Sequence, residues 1–350
     1  MYRYIGNKTK LIPYILQETE NLIGKEGTVA DVMAGTGAVA CAFKEAGYSV
    51  VASDVMTYSY HHLITKLKIC KTPKFTKLIS NNVVSKTSDD NYGSVISFLN
   101  NLQPIKGYFY KEFSPEGTPE NGSTPRKYFS SSNAEKIDAI RETINTWKKA
   151  GYITKTEESI LKHSLIMAVN EVANISGTYG YFLSTFKENS LKELTLKKEQ
   201  IEPSNKKHIV KLGYAEEIAE SIKADLCYID PPYIKRQYAA NYHILETIAR
   251  GDFPIAVGKS GLRDWRDQYS NFCTKTKGLN SFETIIQNMN CKKFLISYSE
   301  DGLFTLAQLT DCFKKYGKVK VKEIDYSRFR SNNSNLPKKI KEYLISIEKE

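Results

Sequence analysis

Apolar positions recur along this chain with two periods, and the change from one to the other divides it into elements. Leu11, Ile15, Leu16 and Leu22 follow a helical period, with Pro13 in the first turn, where a missing N–H costs nothing. Thr28–Val32 reads as a short buried strand. It runs into Met33-Ala34-Gly35-Thr36-Gly37-Ala38-Val39-Ala40, and a helix through Ala42, Phe43 and Ala46 stops at Gly47. Tyr48–Asp54 predicts a second strand. Farther on, two amphipathic helices are expected. One passes through Ile137, Ile140, Ile144 and Trp147, with Asn133 as N-cap, and ends at Gly151; the other runs from about Thr156 through Val169 towards Gly177. His208–Lys211, Leu226–Ile229 and Phe294–Ser299 are strand candidates, and Ala215–Lys223 and Phe282–Asn290 helix candidates. Val319–Arg330 and Glu342–Ile347 alternate like a closing antiparallel pair.

The chemistry gathers where strands end. Leu226-Cys227-Tyr228-Ile229 stops abruptly at Asp230-Pro231-Pro232-Tyr233. Prolines cannot donate to a sheet ladder, so they lie beyond it and hold the backbone extended. Asp230 is therefore expected at the carboxyl end of a parallel strand, where open α/β sheets bind ligands. A carboxylate, a backbone carbonyl and an aromatic face on one stiff segment suit a flat, amino-bearing heterocycle, with a nucleobase the obvious candidate. The Gly35–Gly37 loop follows Asp31, and Asp54 ends the next strand about 20 residues on, the spacing of a βαβ nucleoside site. The loop lacks the third glycine of the pyrophosphate fingerprint, which favours a nucleoside without phosphates. Tyr4 and Lys8 flank Gly6 ahead of the first helix, so a ring and an ammonium can converge on one small ligand.

Bulk properties narrow the partner. The 350 residues carry a formal net charge of +11, which points to nucleic acid before membrane. No apolar stretch is long enough to span a bilayer. The start, Met1-Tyr2-Arg3-Tyr4-Ile5-Gly6, lacks a signal-peptide layout, and the six scattered cysteines read as reduced core thiols; a cytoplasmic protein is expected. His61 and His62 are adjacent and point to different faces, so no metal site is expected. Between residues 57 and 207 the chain turns basic and polar, with a long turn-rich loop from Phe113 to Pro125 followed by Arg126 and Lys127. After the Asp230 segment, Arg236, Tyr238 and Asn241 could cover a bound base.

Taken together, these motifs resemble the D12-class, Dam-like DNA adenine-N6 methyltransferases. Tyr4-Ile5-Gly6-Asn7-Lys8 is similar to that family's aromatic-x-Gly-x-Lys motif, Asp31–Gly37 to its cofactor loop, Asp54 to its ribose acid, and Asp230-Pro231-Pro232-Tyr233 to its catalytic tetrapeptide. Arg126–Ile140 and Ile175–Gly180 resemble a restriction-modification branch. Met33 departs from the family's usual Phe. The resemblance implies an α/β, Rossmann-like S-adenosylmethionine-dependent methyltransferase sheet, with residues 1–56 and 208–350 catalytic and an inserted, mainly helical DNA-recognition region at 57–207. It implies a cofactor site of Tyr4, Lys8, Asp31, Ala34, Gly35, Gly37, Asp54 and Asp230, and catalysis by Asp230 to Tyr233. Arg126, Lys127, Arg236, Tyr238, Asn241 and Lys338 are expected at duplex DNA, and a separate cognate restriction endonuclease as a functional partner. Cytosine-N4 transfer, adenine-N6 transfer to RNA, and a catalytically silent DNA-binding protein remain alternatives.

Overall fold

A computed structural model describes residues 6, 8–121, 124–327 and 339–349. The chain divides into two compact units. Among the described residues, one comprises those within 6–63, 204–238 and 268–349, the other those within 64–203 and 239–267. Residues 239–267, expected with the sheet, thus group with the helical unit.

The first unit is built on a seven-stranded sheet. Its strands are β1 (Thr28–Asp31), β2 (Ser49–Asp54), β3 (Ile209–Leu212), β4 (Leu226–Ile229), β5 (Lys293–Ser299), β6 (Gly317–Ser327) and β7 (Lys339–Lys349). The order is β3-β2-β1-β4-β5-β7-β6, parallel from β3 to β5. The antiparallel β7 lies between β5 and β6. All four residues of β4 are buried, which is why a continuous apolar run, and not an alternating one, encodes it. Alternate strand residues supply two cores. Ala30, Cys227, Ile229, Phe294, Ile296, Ile345 and Ile347 pack with Phe282, Ile285 and Phe313 from the helices Gly278–Asn288 and Leu306–Phe313. On the opposite face, Tyr228 meets Phe43 of the helix Ala38–Glu45 edge-on, with ring centroids 6.0 Å apart. Helices on both faces of a mostly parallel sheet make this a Rossmann-like α/β unit. Its order reverses direction between β1 and β4, the place where such sheets form a crevice.

The second unit is mainly helical, with its longest helices at Ser131–Lys149 and Lys155–Val172. Asn133 is not the N-cap of the first. Ser130 takes that place, its Oγ accepting the Asn133 N–H at 3.3 Å. The Asn133 side chain faces inward, donating to the Lys192 carbonyl at 2.9 Å and accepting the Leu194 N–H at 2.9 Å. The second helix starts at a capping box: Thr154 Oγ1 accepts the Glu157 N–H at 3.2 Å, and Glu157 Oε2 accepts the Thr154 N–H at 2.9 Å. Thr154→Ala is expected to lower stability by about 1 kcal/mol, read as a lower urea midpoint with an unchanged slope.

Candidate functional site at the carboxyl ends of the strands

Three acids predicted from sequence meet at one end of the parallel strands. Asp31 closes β1, Asp54 closes β2, and Asp230 follows β4 directly. The turn after β1 needs its glycines, since Gly35 and Gly37 hold φ of 53° and 78°, left-handed values that a side chain resists. Asp54 locks this turn. Its Oδ2 accepts the Gly35 N–H at 2.8 Å and its Oδ1 the Met56 N–H at 2.8 Å, while the Ala34 N–H bonds the Ser53 carbonyl at 3.0 Å. Asp31 lies deeper, 1% exposed. Neither of its oxygens finds a well-placed hydrogen-bond donor, the Met33 and Ala40 amides only tempering its charge. Burial, then the nearby Asp230 and Asp54, push its carboxyl well above the usual range.

Lys8 reaches into this group from the amino-terminal loop. Its Nζ lies 3.3 Å from Asp230 Oδ1, 3.4 Å from Glu342 Oε2 and 4.8 Å from the centre of the Tyr233 ring. Burial opposes its charge, but Asp230, Tyr233 and Glu342 outweigh that cost and raise its pKa, so the ammonium persists. Asp230 shows the reverse balance. Burial pushes its carboxyl up and Lys8 pulls it down, with Glu342 adding to the rise, and the result is a pKa of about 6. The tetrapeptide is fixed behind this acid. The Tyr233 carbonyl accepts the Leu303 N–H at 2.9 Å, and its ring packs 5.7 Å from Tyr298 at 59°. Pro231 is buried, Pro232 and Tyr233 half-buried.

The residues expected at DNA fare unevenly. Arg236 and Lys127 are exposed and Tyr238 half-buried. The Tyr238 hydroxyl explains Gly6, because a Cβ there would come within 2.9 Å of it on a backbone already at φ +77°. Asn241 is half-buried in the helical unit, where its Oδ1 accepts the Thr178 hydroxyl at 3.3 Å and its carbonyl the Tyr179 N–H at 2.9 Å. Arg126 is fully buried, which corrects the expectation that it faces a phosphate. Its guanidinium pairs with Glu112 Oε2 at 2.6 Å and donates to the Gly258 carbonyl at 3.0 Å. An arginine spent on internal acceptors braces the fold. Tyr4 and Lys338 lie outside the described residues.

Sequence reasoning missed Glu342. In β7 it shares a face with Leu344, while Tyr343, Ile345 and Ile347 face the main core, and it is only 5% exposed. An acid in register with core residues of an alternating strand was the available signal. Among the described residues no helix is long and apolar enough to cross a membrane.

Comparison with known proteins agrees with the motif pattern. The family model for D12 class N6 adenine-specific DNA methyltransferases matches residues 4–312. The chain is 34% identical over 354 residues to modification methylase StsI of Streptococcus sanguinis, covering 99% of this chain and 52% of that protein. It is 32% identical over 353 residues to type II methyltransferase M.NlaIII of Neisseria lactamica, covering 99% of both. Identity to type II methyltransferase M.FokI of Planomicrobium okeanokoites is 32% over 356 residues, again 99% of this chain and 53% of that protein. The chain thus spans about half the length of two of these relatives and nearly all of the third. With the family match covering the glycine loop, both strand-end acids and the Asp-Pro-Pro-Tyr segment, the chain belongs to the D12 class N6 adenine-specific DNA methyltransferases.

Proposed function

We propose that this chain transfers a methyl group from S-adenosylmethionine to N6 of adenine within a short duplex DNA sequence, protecting that sequence from a cognate restriction endonuclease in the cytoplasm. The observation that carries the reading is Asp230, an acid fixed between a buried strand and two prolines, part-exposed, and paired with Lys8. Support for the cofactor comes from charge. Lys8 pairs with Asp230 and Glu342, Asp31 and Asp54 add to the same group of acids, and an excess of acid favours a cationic ligand. Asp54 would take the ribose hydroxyls, and the backbone from Ala34 to Gly37 would approach the nucleoside closely. Lys8 would meet the carboxylate of the methionine part, and Asp31 would face its positive end. S-adenosylmethionine, when bound, supplies an electrophilic methyl group.

The chain's own residues prepare the nucleophile. The adenine amine is weakly nucleophilic because its lone pair is delocalised into the ring. Ionised Asp230 accepts one N6–H and the Pro231 carbonyl accepts the other, which draws the nitrogen towards tetrahedral geometry. Acceptors fixed beforehand act mainly on the transition state, where charge develops on that nitrogen. Alignment of two reactants can supply roughly 7–11 kcal/mol of a barrier. The base must first leave the duplex, at a cost of a few kcal/mol; stacking on Tyr233 would return about 1–3 kcal/mol. Phosphate contacts from Lys127, Arg236 and other basic side chains supply affinity without sequence information.

Long-read sequencing of DNA from a host expressing the chain tests this reading. N6-methyladenine in one short context supports it, whereas N4-methylcytosine or unmodified DNA overturns it. The acid limb of kcat/KM is expected near pH 6, because transfer needs Asp230 ionised in the free enzyme. Unfolding does not account for that limb. Between about pH 6 and the ordinary carboxyl range, the folded chain binds a proton at Asp230 that the unfolded chain does not, so this group stabilises the fold on acidification. Circular dichroism should stay constant while the rate falls.

A further inference from the structure

Asp31, Tyr228, Asp230 and Glu342 point to the same side of the sheet, at the carboxyl ends of its parallel strands. The register sets this: Asp31 pairs with Tyr228 across β1 and β4, and Glu342 with Ser299 across β7 and β5. Of these, Asp230 and Glu342 share one cation at almost equal distances, 3.3 and 3.4 Å. Lys8 Nζ donates to Glu342 Oε2, and Asp230 Oδ1 holds the same ammonium as an ion pair. The ammonium is therefore divided between Asp230 and an acid that lies outside the tetrapeptide.

We propose that Glu342 is a positioning residue of the methyl-transfer site, drawing the Lys8 ammonium partly away from Asp230 so that the Asp230 carboxylate keeps its accepting strength for the substrate amine. The inference rests on the role given to Asp230 under the proposed function. A carboxylate gripped fully by a buried ammonium is a weaker acceptor, and its oxygen is oriented towards the lysine and not the base. A second acid on β7, two strands along from β4, divides the cation and relaxes that grip. Glu342 also adds negative potential at Asp230. Among the described residues, the other titratable groups that act on Asp230 or on Lys8 include Asp31 from β1, Tyr228 from β4, Tyr233 of the tetrapeptide, Tyr238, and Tyr326 from β6.

In Glu342→Gln the neighbouring negative charge is gone and Lys8 turns wholly to Asp230; both changes make Asp230 easier to ionise. The acid limb of kcat/KM should therefore move down by about one pH unit, while the plateau rate falls on the order of tenfold. A purely structural Glu342 would lower the rate and the melting temperature together and leave the limb in place. Glu342→Asp retains the charge but withdraws it by one methylene. It should shift the limb the same way by less, and it carries the test if the glutamine variant does not fold. A limb that stays put or moves upward in a folded variant overturns the role of Glu342 alone. Wild-type enzyme assayed alongside separates the two readings: if it puts no methyl on adenine, the proposed function itself has failed.

Discussion

Asp230→Ala is expected to abolish methyl incorporation into duplex DNA, with a loss of at least about a thousandfold in single-turnover assays with tritiated cofactor. Removing one preorganised acceptor from a reacting centre costs about 10²–10³ in rate, and Asp230 is also the only charged member of the tetrapeptide. The same change should leave the fold intact, because Lys8 retains Glu342 at 3.4 Å and is not left as a lone buried charge. Burial already raises the carboxyl of Asp230, so ionised Asp230 strains the folded chain at neutral pH. The alanine variant should melt no lower than wild type, and DNA binding without cofactor should persist. A folded variant with full activity would refute the assignment.

Arg126→Ala should act on the other unit and on stability. It leaves Glu112, itself 3% exposed, without its partner and opens a space beside Gly261, whose Cβ position would lie 2.9 Å from the arginine. Breaking a buried ion pair by removing one member costs about 3–5 kcal/mol. Urea denaturation should show that loss. Had Arg126 been a phosphate contact, the variant would keep its stability, and the salt dependence of DNA binding would lose about one unit of slope. The two outcomes share no observable.

The contrast between these residues shows what a sequence makes legible. Asp54 and Asp230 could be placed because parallel strands buried on both faces read as apolar runs, and a run that stops at an acid marks a strand's carboxyl end, whereas Asp31, inside the expected strand Thr28–Val32, turns out to close it. The closing antiparallel pair was visible in its alternation. Its place was not, since nothing local says that β7 enters between β5 and β6. Glu342 was lost with that register: its meeting with Lys8 spans nearly the whole chain. Arg126 looked like a surface cation because its partner lies 14 residues upstream across a turn-rich loop. The helix Leu306–Phe313 did leave a local mark that was overlooked, a capping box formed by Thr305 and Gln308. At Ser130 and Asn133 two good capping residues compete within one turn, and packing of the asparagine against residues 192 and 194 decides between them.

The pairing of β1 with β4 joins Val29 to Leu226. At about 5–20 residues per second of synthesis, a partner made roughly 200 residues later arrives some 10–40 s after β1 has left the ribosome. Through that interval an apolar strand edge waits uncovered, ready to pair with any neighbouring nascent chain. Added holdase chaperones, which cover such an edge while it waits, should therefore raise the soluble yield of this protein.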